Sequence, residues 1–306
     1  MKNFASNHQE SVGGRPVGVV AMAVTPFTAS NEIDTSRLRG LVRDAADQRF
    51  DAVVIAGGAG EISSLSPEEV IDLTSSARQE LGALGSSCRI LVGLELTGDS
   101  PGVLASFREA GADGVLCFAS DSGDADACLA ELVEENAQGP RLAVLVDHDG
   151  RRFTLEGLRH ASEVGDGIGV KYGSPDLRLW QTLRSELPHV HWWICGAGDD
   201  LAPAFVALGA DGFTSTTFNI APEFVREVAE MMSVNLHRAA ADLVSSRLHL
   251  LAGLRSSRPS YVAAVTKAAM DRAGRAGGEV RNEGHRFDRS DSQALNLSVD
   301  RLLWGI

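Results

Sequence analysis

The sequence predicts an α/β fold, a closed (β/α)8 TIM barrel followed by a C-terminal helical appendage. Short β-branched runs alternate with longer amphipathic stretches about eight times, which indicates parallel strands joined by helical crossovers. The turn Gly-Ala-Asp-Gly occurs at 111–114 and again at 209–212, as expected of repeated βα units with glycine at the left-handed end of a helix. After the eighth run only helical patterns remain.

The predicted strands are short, and each is followed by polar residues or glycine. Eight parallel strands favour closure into a barrel. We therefore expect a flexible N-terminal tail over residues 1–16, a barrel over 17–232 and a C-terminal helical region over 233–306. In chain order the strands are Val17–Thr25, Ala52–Ala56, Ile90–Leu94, Gly114–Phe118, Leu142–Val146, Gly167–Lys171, His191–Cys195 and Gly212–Ser215.

Start signals mark the helices between these strands. Ser66 precedes Pro67 and two glutamates, an N-cap followed by proline at the first helical position and acids in the first turn. Ser100-Pro101 and Thr154 begin two further helices.

A doubly wound sheet is the competing architecture, and it is disfavoured because no G-x-G-x-x-G follows the first strand. The C-terminal helices are predicted at Pro222–Met232, Leu236–Leu254, Tyr261–Ala273 and Ser292–Leu303.

The composition disfavours several classes of function. A net charge of −13 argues against binding to nucleic acid or to anionic membranes, and the longest apolar run, Val17 to Val24, is too short to cross a bilayer. The polar start lacks the hydrophobic core of a signal peptide, so we expect a cytoplasmic protein. The four cysteines are scattered without a C-x-x-C pair, which argues against a disulfide framework or a bound metal.

Lysine usage is the most informative feature of the composition. The chain has 28 basic residues, of which only Lys2, Lys171 and Lys267 are lysines. A retained lysine suggests a task that arginine cannot perform, because only an amine deprotonates and attacks a carbonyl. Lys171 ends the apolar run 167–170, where loss of hydration favours the neutral amine. From position alone, a nucleophilic lysine and a lysine paired with a carboxylate are both open.

Other polar residues lie at the strand ends, where barrel active sites are built. The turn Gly57–Glu61 offers backbone N–H groups to an anion such as a carboxylate, or it is a tight turn that needs glycine at positive φ. Asp199 and Asp200 are expected to cap a helix, and Trp192-Trp193 is expected to pack in the strand. The remaining strand-end candidates are Thr25, Glu95, Ser120, 147–149, Arg152, Gly196 and 216–219.

Taken in order, these motifs resemble the dihydrodipicolinate synthase and N-acetylneuraminate lyase family of class I aldolases. The resemblance covers about residues 17 to 300. The stretch 277–281, Gly-Gly-Glu-Val-Arg, looks most like the 5-dehydro-4-deoxyglucarate dehydratase branch. The matching motifs are Thr25-Pro26-Phe27, the G-x-x-G-E turn at 57–61 followed by Ser64-Leu65, the G-x-K strand at 169–171, Gly198-Asp199-Asp200 and the segment 215–222.

The resemblance implies a lyase, an aldolase or dehydratase, in which Lys171 forms a Schiff base with a small 2-oxo acid such as pyruvate or a keto-deoxy sugar acid. It implies that the Gly58–Ala59 region holds the substrate carboxylate, that Arg152 binds the distal end of the substrate, and that the enzyme assembles as a homotetramer or homodimer. No cofactor or metal is expected, since the iminium itself withdraws electrons. Other predicted substrate-binding residues are Thr25, Gly60, Gly196 and Thr216.

The sequence departs from the family pattern at the acid/base group. An ungapped match places Asp147 where the family has its catalytic tyrosine, and the chain has only Tyr172 and Tyr261. The hydroxyl residues usual in the G-x-x-G-E turn are replaced by Gly58 and Ala59. We predict that a carboxylate, first Asp147 and next Glu95, transfers the proton instead.

The direction of the fifth strand's side chains supports Asp147 for this role. If Asp147 points into the barrel, period-two alternation turns His148 away from it.

Two alternatives to the lyase remain at this point. One is a non-catalytic paralogue that binds a 2-oxo acid as a sensor or partner, and the other is a phosphate-handling isomerase, which would need a glycine-rich loop after strands seven and eight.

Overall fold

The computed structural model shows a closed barrel in which every strand is parallel to its neighbours and β8 pairs with β1. It describes residues 17–120, 123–139, 142–150, 152–258, 260–282 and 286–306. The predicted tail over 1–16 lies outside the described residues. The strands are β1 Gly18–Met22, β2 Ala52–Ile55, β3 Arg89–Leu96, β4 Gly114–Ala119, β5 Ala143–His148, β6 Gly169–Tyr172, β7 Trp192–Cys195 and β8 Gly212–Ser215.

Helices alternate with the strands around the barrel, and four more follow the helix after β8. The predicted fold class, a TIM barrel with a C-terminal helical appendage, is confirmed. The division into a barrel over 17–232 and a helical region over 233–306 stays a prediction. The helices are α1 Thr35–Asp47, α2 Pro67–Leu84, α3 Ser100–Glu109, α4 Ala125–Gln138, α5 Leu155–Glu163, α6 Leu177–Glu186, α7 Ala202–Ala207, α8 Pro222–Ser233, α9 His237–Arg247, α10 His249–Ser256, α11 Val262–Arg272 and α12 Ser292–Trp304.

Two apolar layers hold the barrel together. Along β5, Val144 and Val146 point outward into the large core between strands and helices, while Leu145 points inward into a smaller cluster. Because successive side chains of a strand alternate between faces, the next inward position of β5 is Asp147. The same alternation along β6 turns Val170 outward and Lys171 inward. The apolar inner cluster contains Val20, Met22, Ala52, Val54, Ala59, Leu91, Leu116, Leu145 and Ile194.

Local start and stop signals act as the sequence predicts at several helices. The Ser66 side chain accepts from the N–H of Glu69, whose carboxylate accepts from the N–H of Ser66, which completes a capping box in front of Pro67. Gly111 and Gly209, the first residues of the repeated turn, have φ of 101° and 92°. These values favour glycine because a Cβ is strained there.

One predicted helix is wrong. The helix predicted over Leu236–Leu254 is two helices, α9 and α10, separated by the fully buried Leu248, whose φ of −110° lies outside the helical range. The helix start predicted at Ser100-Pro101 is correct, since α3 begins at Ser100 with Asp99 before it as the N-cap. Residues of α10 contribute to the cavity described next.

Candidate active site

A cavity of about 790 Å³ lies at the carboxyl ends of the strands, the face where barrel enzymes place their active sites. The ends of β1, β2 and β4 to β8 line one side, and α10, α11 and the segment after α11 line the other. Its wall therefore combines the barrel with the C-terminal region. The polar or charged side chains in the wall are Glu61, Ser63, Ser64, Asp147, Lys171, Asp199, Asp200, Thr214, Thr216, His249, Arg255, Ser256 and Ser260.

Lys171 and Asp147 form a close ion pair in the wall of this cavity. Their Cα atoms are register partners in the pairing of β5 with β6, and both side chains point inward. Lys171 Nζ donates to Asp147 Oδ2 over 2.7 Å, and the two side chains are 10% and 16% exposed. A carboxylate at this distance can accept the proton that the amine must lose before it attacks a carbonyl.

Gly196, at the end of β7, leaves the space that Lys171 occupies. A Cβ added at 196 would lie 2.6 Å from Cγ and 3.0 Å from Nζ of Lys171, so any larger residue would displace the lysine. The neighbouring Cys195 is not a competing nucleophile, because burial raises the pKa of its thiol to about 12.

The turn after β2 presents its backbone to the cavity. Gly58 and Ala59 line the wall, and among the described residues their N–H groups have no acceptor within the protein. Thr25 is buried and does not line the cavity; its Oγ1 donates to the carbonyl of Gly60 over 2.7 Å and braces the turn. Free N–H groups on a braced turn are suited to an anion.

The expected reason for glycine in this turn is corrected by the structure. The residues at positive φ are Ala56, at 54°, and Glu61, at 57°, whereas the glycines between them are not. Close packing favours glycine at 60 instead, since an added Cβ would lie 3.0 Å from both the carbonyl oxygen of Ala23 and the backbone nitrogen of Gly57. A Cβ at Gly58 would meet nothing within 4 Å, so a side chain could be accommodated there.

A buried ion pair holds the end of the turn. Lys267 Nζ donates to Glu61 Oε1 over 2.5 Å and to the carbonyl of Glu279 over 2.6 Å, and the N–H of Arg281 donates to Glu61 Oε2. Lys267 is 1% exposed, and burial lowers its pKa while the carboxylate of Glu61 raises it. The second of the two described lysines is therefore a structural residue, which ties the turn to the segment after α11.

The aspartates after β7 do not cap a helix, so that prediction is wrong. The residue before α7 is Leu201, and no side chain caps this helix. Asp199 instead bridges to the next strand end, where its Oδ2 accepts from the N–H groups of Thr216 and Thr217 over 3.3 and 3.4 Å. Asp200 lines the cavity, and burial raises the pKa of its carboxyl.

Three other predictions concern residues near the site. His148 is buried, and its ring lies 6.2 Å from that of Tyr172, so it points away from Asp147 as expected. Glu95 is exposed and does not line the cavity. Arg152 does not line it either, and its Nη1 donates to the carbonyl of Ala119 over 2.9 Å. The roles assigned to Glu95 and Arg152 stay predictions.

Several cavity residues were not predicted from the sequence. Asp200 was expected only as a cap, and the contributions of His249, Arg255 and Val280 were missed. All three lie more than seventy residues from Lys171 along the chain. His249 and Arg255 belong to α10, whose residue pattern alone does not indicate which side faces the barrel, and Val280 lies in the segment after α11. Only the packing of α10 and α11 over the strand ends could identify them.

The described residues contain no group of three or more His, Cys, Asp or Glu side chains placed to hold a metal ion. The helices within that part of the chain are also too short or too polar to cross a membrane.

Comparison with known protein families identifies the family to which this chain belongs. The sequence matches the model of the Dihydrodipicolinate synthetase family over residues 15–119 and 145–295. The chain belongs to this family. The resemblance predicted from the ordered motifs is thus confirmed, as is the prediction of an enzyme that acts as a lyase of the aldolase or dehydratase kind on a keto acid.

Individual members of the family are similar over nearly the whole chain. A protein described as a probable 5-dehydro-4-deoxyglucarate dehydratase from Ralstonia nicotianae is 26% identical over 290 residues, which cover 93% of each chain. The crystal structure of dihydrodipicolinate synthase from Bacillus clausii has a TM-score of 0.85 at 21% identity, covering 94% of this chain and 98% of that one. N-acetylneuraminate lyase from Mycoplasma synoviae has a TM-score of 0.75 at 18% identity, with 94% and 97% coverage.

Proposed function

We propose that this family member binds a small 2-oxo acid covalently, as a Schiff base on Lys171. The observation that carries the proposal is the Lys171–Asp147 pair, a nearly buried amine 2.7 Å from a carboxylate in the wall of the strand-end cavity. An amine nucleophile needs a partner that removes its proton and returns it, and Asp147 is placed to do both.

The chemistry follows from the electron demand of the imine. The neutral amine of Lys171 attacks the C2 ketone, and loss of water leaves an iminium. The iminium draws electrons from C3, so that either a C3 proton or a C3–C4 bond is lost to give an enamine. In a dehydratase, the enamine then expels a hydroxyl from C4 as water. Asp147 is the group that exchanges protons in these steps, which makes it the functional replacement for the family's tyrosine.

The substrate carboxylate is assigned to the turn after β2. The N–H groups of Gly58 and Ala59 can donate to it, and Gly60 and Thr25 hold the turn in place. Gly196 gives room to the lysine, and Thr216, which also lines the cavity, is available to a substrate hydroxyl. No cofactor is part of the proposal, since the iminium supplies the electron sink.

The relatives favour dehydration of a keto-deoxy sugar acid. The Ralstonia nicotianae protein is named for 5-dehydro-4-deoxyglucarate, and a protein from Bacillus licheniformis, 23% identical over 264 residues, carries the same description. We therefore propose this substrate, or a close keto-deoxy analogue, ahead of pyruvate.

We also propose a homotetramer or homodimer that works in the cytoplasm. All four cysteines are free, as is usual in a reducing compartment. Trp304 and Ile306 are 69% and 75% exposed, and large apolar side chains at a surface are available for burial against a second copy. Light scattering should give a mass of two or four chains, and a monomer at micromolar concentration would contradict the assembly.

Borohydride trapping tests the Schiff base directly. Incubation with pyruvate or with the keto-deoxy sugar acid, followed by reduction, should add one substrate-derived mass, which peptide mapping should locate on Lys171. The Lys171→Arg variant should lose the adduct and keep its fold by circular dichroism, whereas the matched Lys2→Arg variant should be labelled normally. Labelling that persists in Lys171→Arg, or that falls on Lys2 or Lys267, would overturn the assignment.

A further inference from the structure

Arg255, in α10, is a buried cation in the wall of the active-site cavity. It is 7% exposed and contributes to the wall together with Asp199, Thr216 and Ser256. Burial lowers its pKa and the two nearby aspartates raise it, but a guanidinium remains protonated at any physiological pH. A charge removed from water is costly unless hydrogen bonds satisfy it.

The protein satisfies only one end of this guanidinium. Nη1 donates to Thr217 Oγ1 over 2.9 Å. Nε and Nη2 are both buried, and among the described residues neither has a hydrogen-bond partner. These two nitrogens form one edge of the planar group, and their N–H bonds are parallel, which is the geometry that binds the two oxygens of a carboxylate.

Asp199 does not satisfy this edge. Its nearest approach to Arg255 is 3.9 Å, from Oδ2 to Nη1, which is longer than a hydrogen bond. Oδ2 is already used by the backbone of Thr216 and Thr217, and Oδ1 is buried without a partner within the described part of the chain. The pair therefore leaves the Nε–Nη2 edge buried and unsatisfied, in a side chain that belongs to the cavity wall.

We infer that Arg255 binds a second carboxylate, at the distal end of the substrate, and that the enzyme prefers 2-oxo dicarboxylic acids to the corresponding monoacids. The inference rests on the proposed function, in which Lys171 forms the imine and the turn after β2 holds the first carboxylate. In this proposal the Arg255 side chain turns when the anion binds, so that the Nε–Nη2 edge reaches the anion and the hydrogen bond from Nη1 to Thr217 is exchanged for that contact. This assignment gives Arg255, rather than Arg152, the role of distal-carboxylate receptor.

Matched pairs of acids test the inference in the unmodified enzyme. The pairs differ only in the terminal carboxylate: oxaloacetate and 2-oxobutanoate, 2-oxoglutarate and 2-oxopentanoate, 2-oxoadipate and 2-oxohexanoate. The concentration that gives half-maximal borohydride trapping on Lys171 is measured for each. For at least one chain length the diacid should be trapped at a concentration about tenfold lower or more, the usual effect of a hydrogen-bonded charge pair. Equal concentrations at all three lengths would overturn the inference.

Variants locate the preference on Arg255. Arg255→Gln and Arg255→Lys should lose most of the diacid preference while the monoacids are trapped as before, which also shows that the site is folded. The matched control is Arg226→Gln, which removes an arginine of an α8 surface pair with Glu230 and should keep the preference. The assignment would be overturned if both Arg255 variants kept the diacid preference, or if Arg152→Gln lost it instead. If an Arg255 variant lost the trapping of diacids and monoacids equally, Arg255 would be a structural residue, and the assignment would also be overturned.

The experiments distinguish a failure of the Schiff base on Lys171 from a failure of the distal receptor Arg255. If no acid, pyruvate included, labels Lys171 in the unmodified enzyme, the Schiff base itself is wrong. If pyruvate labels Lys171 but the diacid preference is absent or independent of Arg255, only the distal receptor is wrong.

Discussion

At the scale of single residues, the chemistry depends on the direction in which each side chain leaves its strand. Asp147 and Lys171 point into the barrel and meet, whereas their neighbours His148 and Tyr172 pack outward. Tyr172 donates its hydroxyl to the carbonyl of Asp176 over 2.6 Å, so it cannot supply the phenol that the family uses. The carboxylate of Asp147, beside the lysine, is therefore the group that we propose for proton transfer.

We predict that Asp147→Asn slows turnover about a hundredfold or more, the usual loss when a general acid or base is removed. Trapping of substrate on Lys171 should stay largely intact when it is carried to completion, because the amine and its pocket remain and borohydride accumulates the adduct even when the imine forms more slowly. Steady-state kinetics and borohydride labelling of the same preparation separate the two effects. Asp149→Asn is the matched control and should turn over normally. Near-normal turnover in both Asp147→Asn and Glu95→Gln would reject a carboxylate substitute.

His148 makes stability depend on pH. Burial lowers its pKa in the folded protein, an effect that Asp149, Asp147 and Asp126 oppose only in part. The unfolded chain then binds a proton more readily than the folded protein, so this residue's contribution is present above its ordinary pKa of about 6.5 and is lost as pH falls below it.

We therefore expect the free energy of unfolding, measured by urea titration, to decrease between about pH 7 and pH 5. His148→Phe should reduce that decrease, and the exposed His189→Phe should not. If His148→Phe leaves the slope of stability against pH unchanged, the buried histidine is not its source.

At the scale of elements, the turn after β2 depends on a residue more than two hundred positions away. Lys267, in α11, pairs with Glu61 in a buried contact and lies over the ring of Phe27 at 4.6 Å. The C-terminal helices are thereby part of the cavity's construction, because they hold the turn whose backbone lines it. The helix after the break at Leu248, α10, contributes Arg255 to the same cavity wall.

We predict that Lys267→Met destabilises the protein by about 3 to 5 kcal/mol, the usual cost of leaving a buried charge without its partner. Chemical denaturation followed by fluorescence measures the change. The double variant Glu61→Gln with Lys267→Met should recover part of the loss, because both charges are then absent. If the single and double variants are equally unstable, packing rather than the ion pair accounts for the effect.

At the scale of the whole molecule, the barrel and the C-terminal helices form one cavity to which both contribute. The strand ends supply Lys171, its partner Asp147 and the turn after β2. The helices supply Arg255, His249 and a buried lysine. A truncation after α8 would remove one wall of the cavity along with the partner of Glu61.

We predict that activity on the 2-oxo acid survives chelation, because an iminium already performs the electron withdrawal that a metal would otherwise provide. Turnover after dialysis against EDTA should equal that of the untreated enzyme. Complete loss, restored by zinc or magnesium, would contradict the prediction and require a different mechanism.

The sequence by itself determined the barrel, the order of its eight strands, the opposite directions of Asp147 and His148, and the family. These properties depend on local signals: the period of two along a strand, capping residues such as Ser66, glycine at Gly111 and Gly209, and short ordered motifs. Each can be recognised within a few neighbouring residues.

Only the tertiary structure decided which residues complete the site. The partnership of Lys267 with Glu61, the bridge from Asp199 to Thr216, and the place of Arg255 in the cavity wall each join residues that are far apart in the chain. Lysine scarcity alone could not separate a nucleophile from a structural cation, and helical periodicity could not indicate that the helix breaks at Leu248 or that α10 lines the cavity. The physical reason is that burial and hydrogen-bond satisfaction are properties of the packed chain, so they appear only when all of its elements are in place.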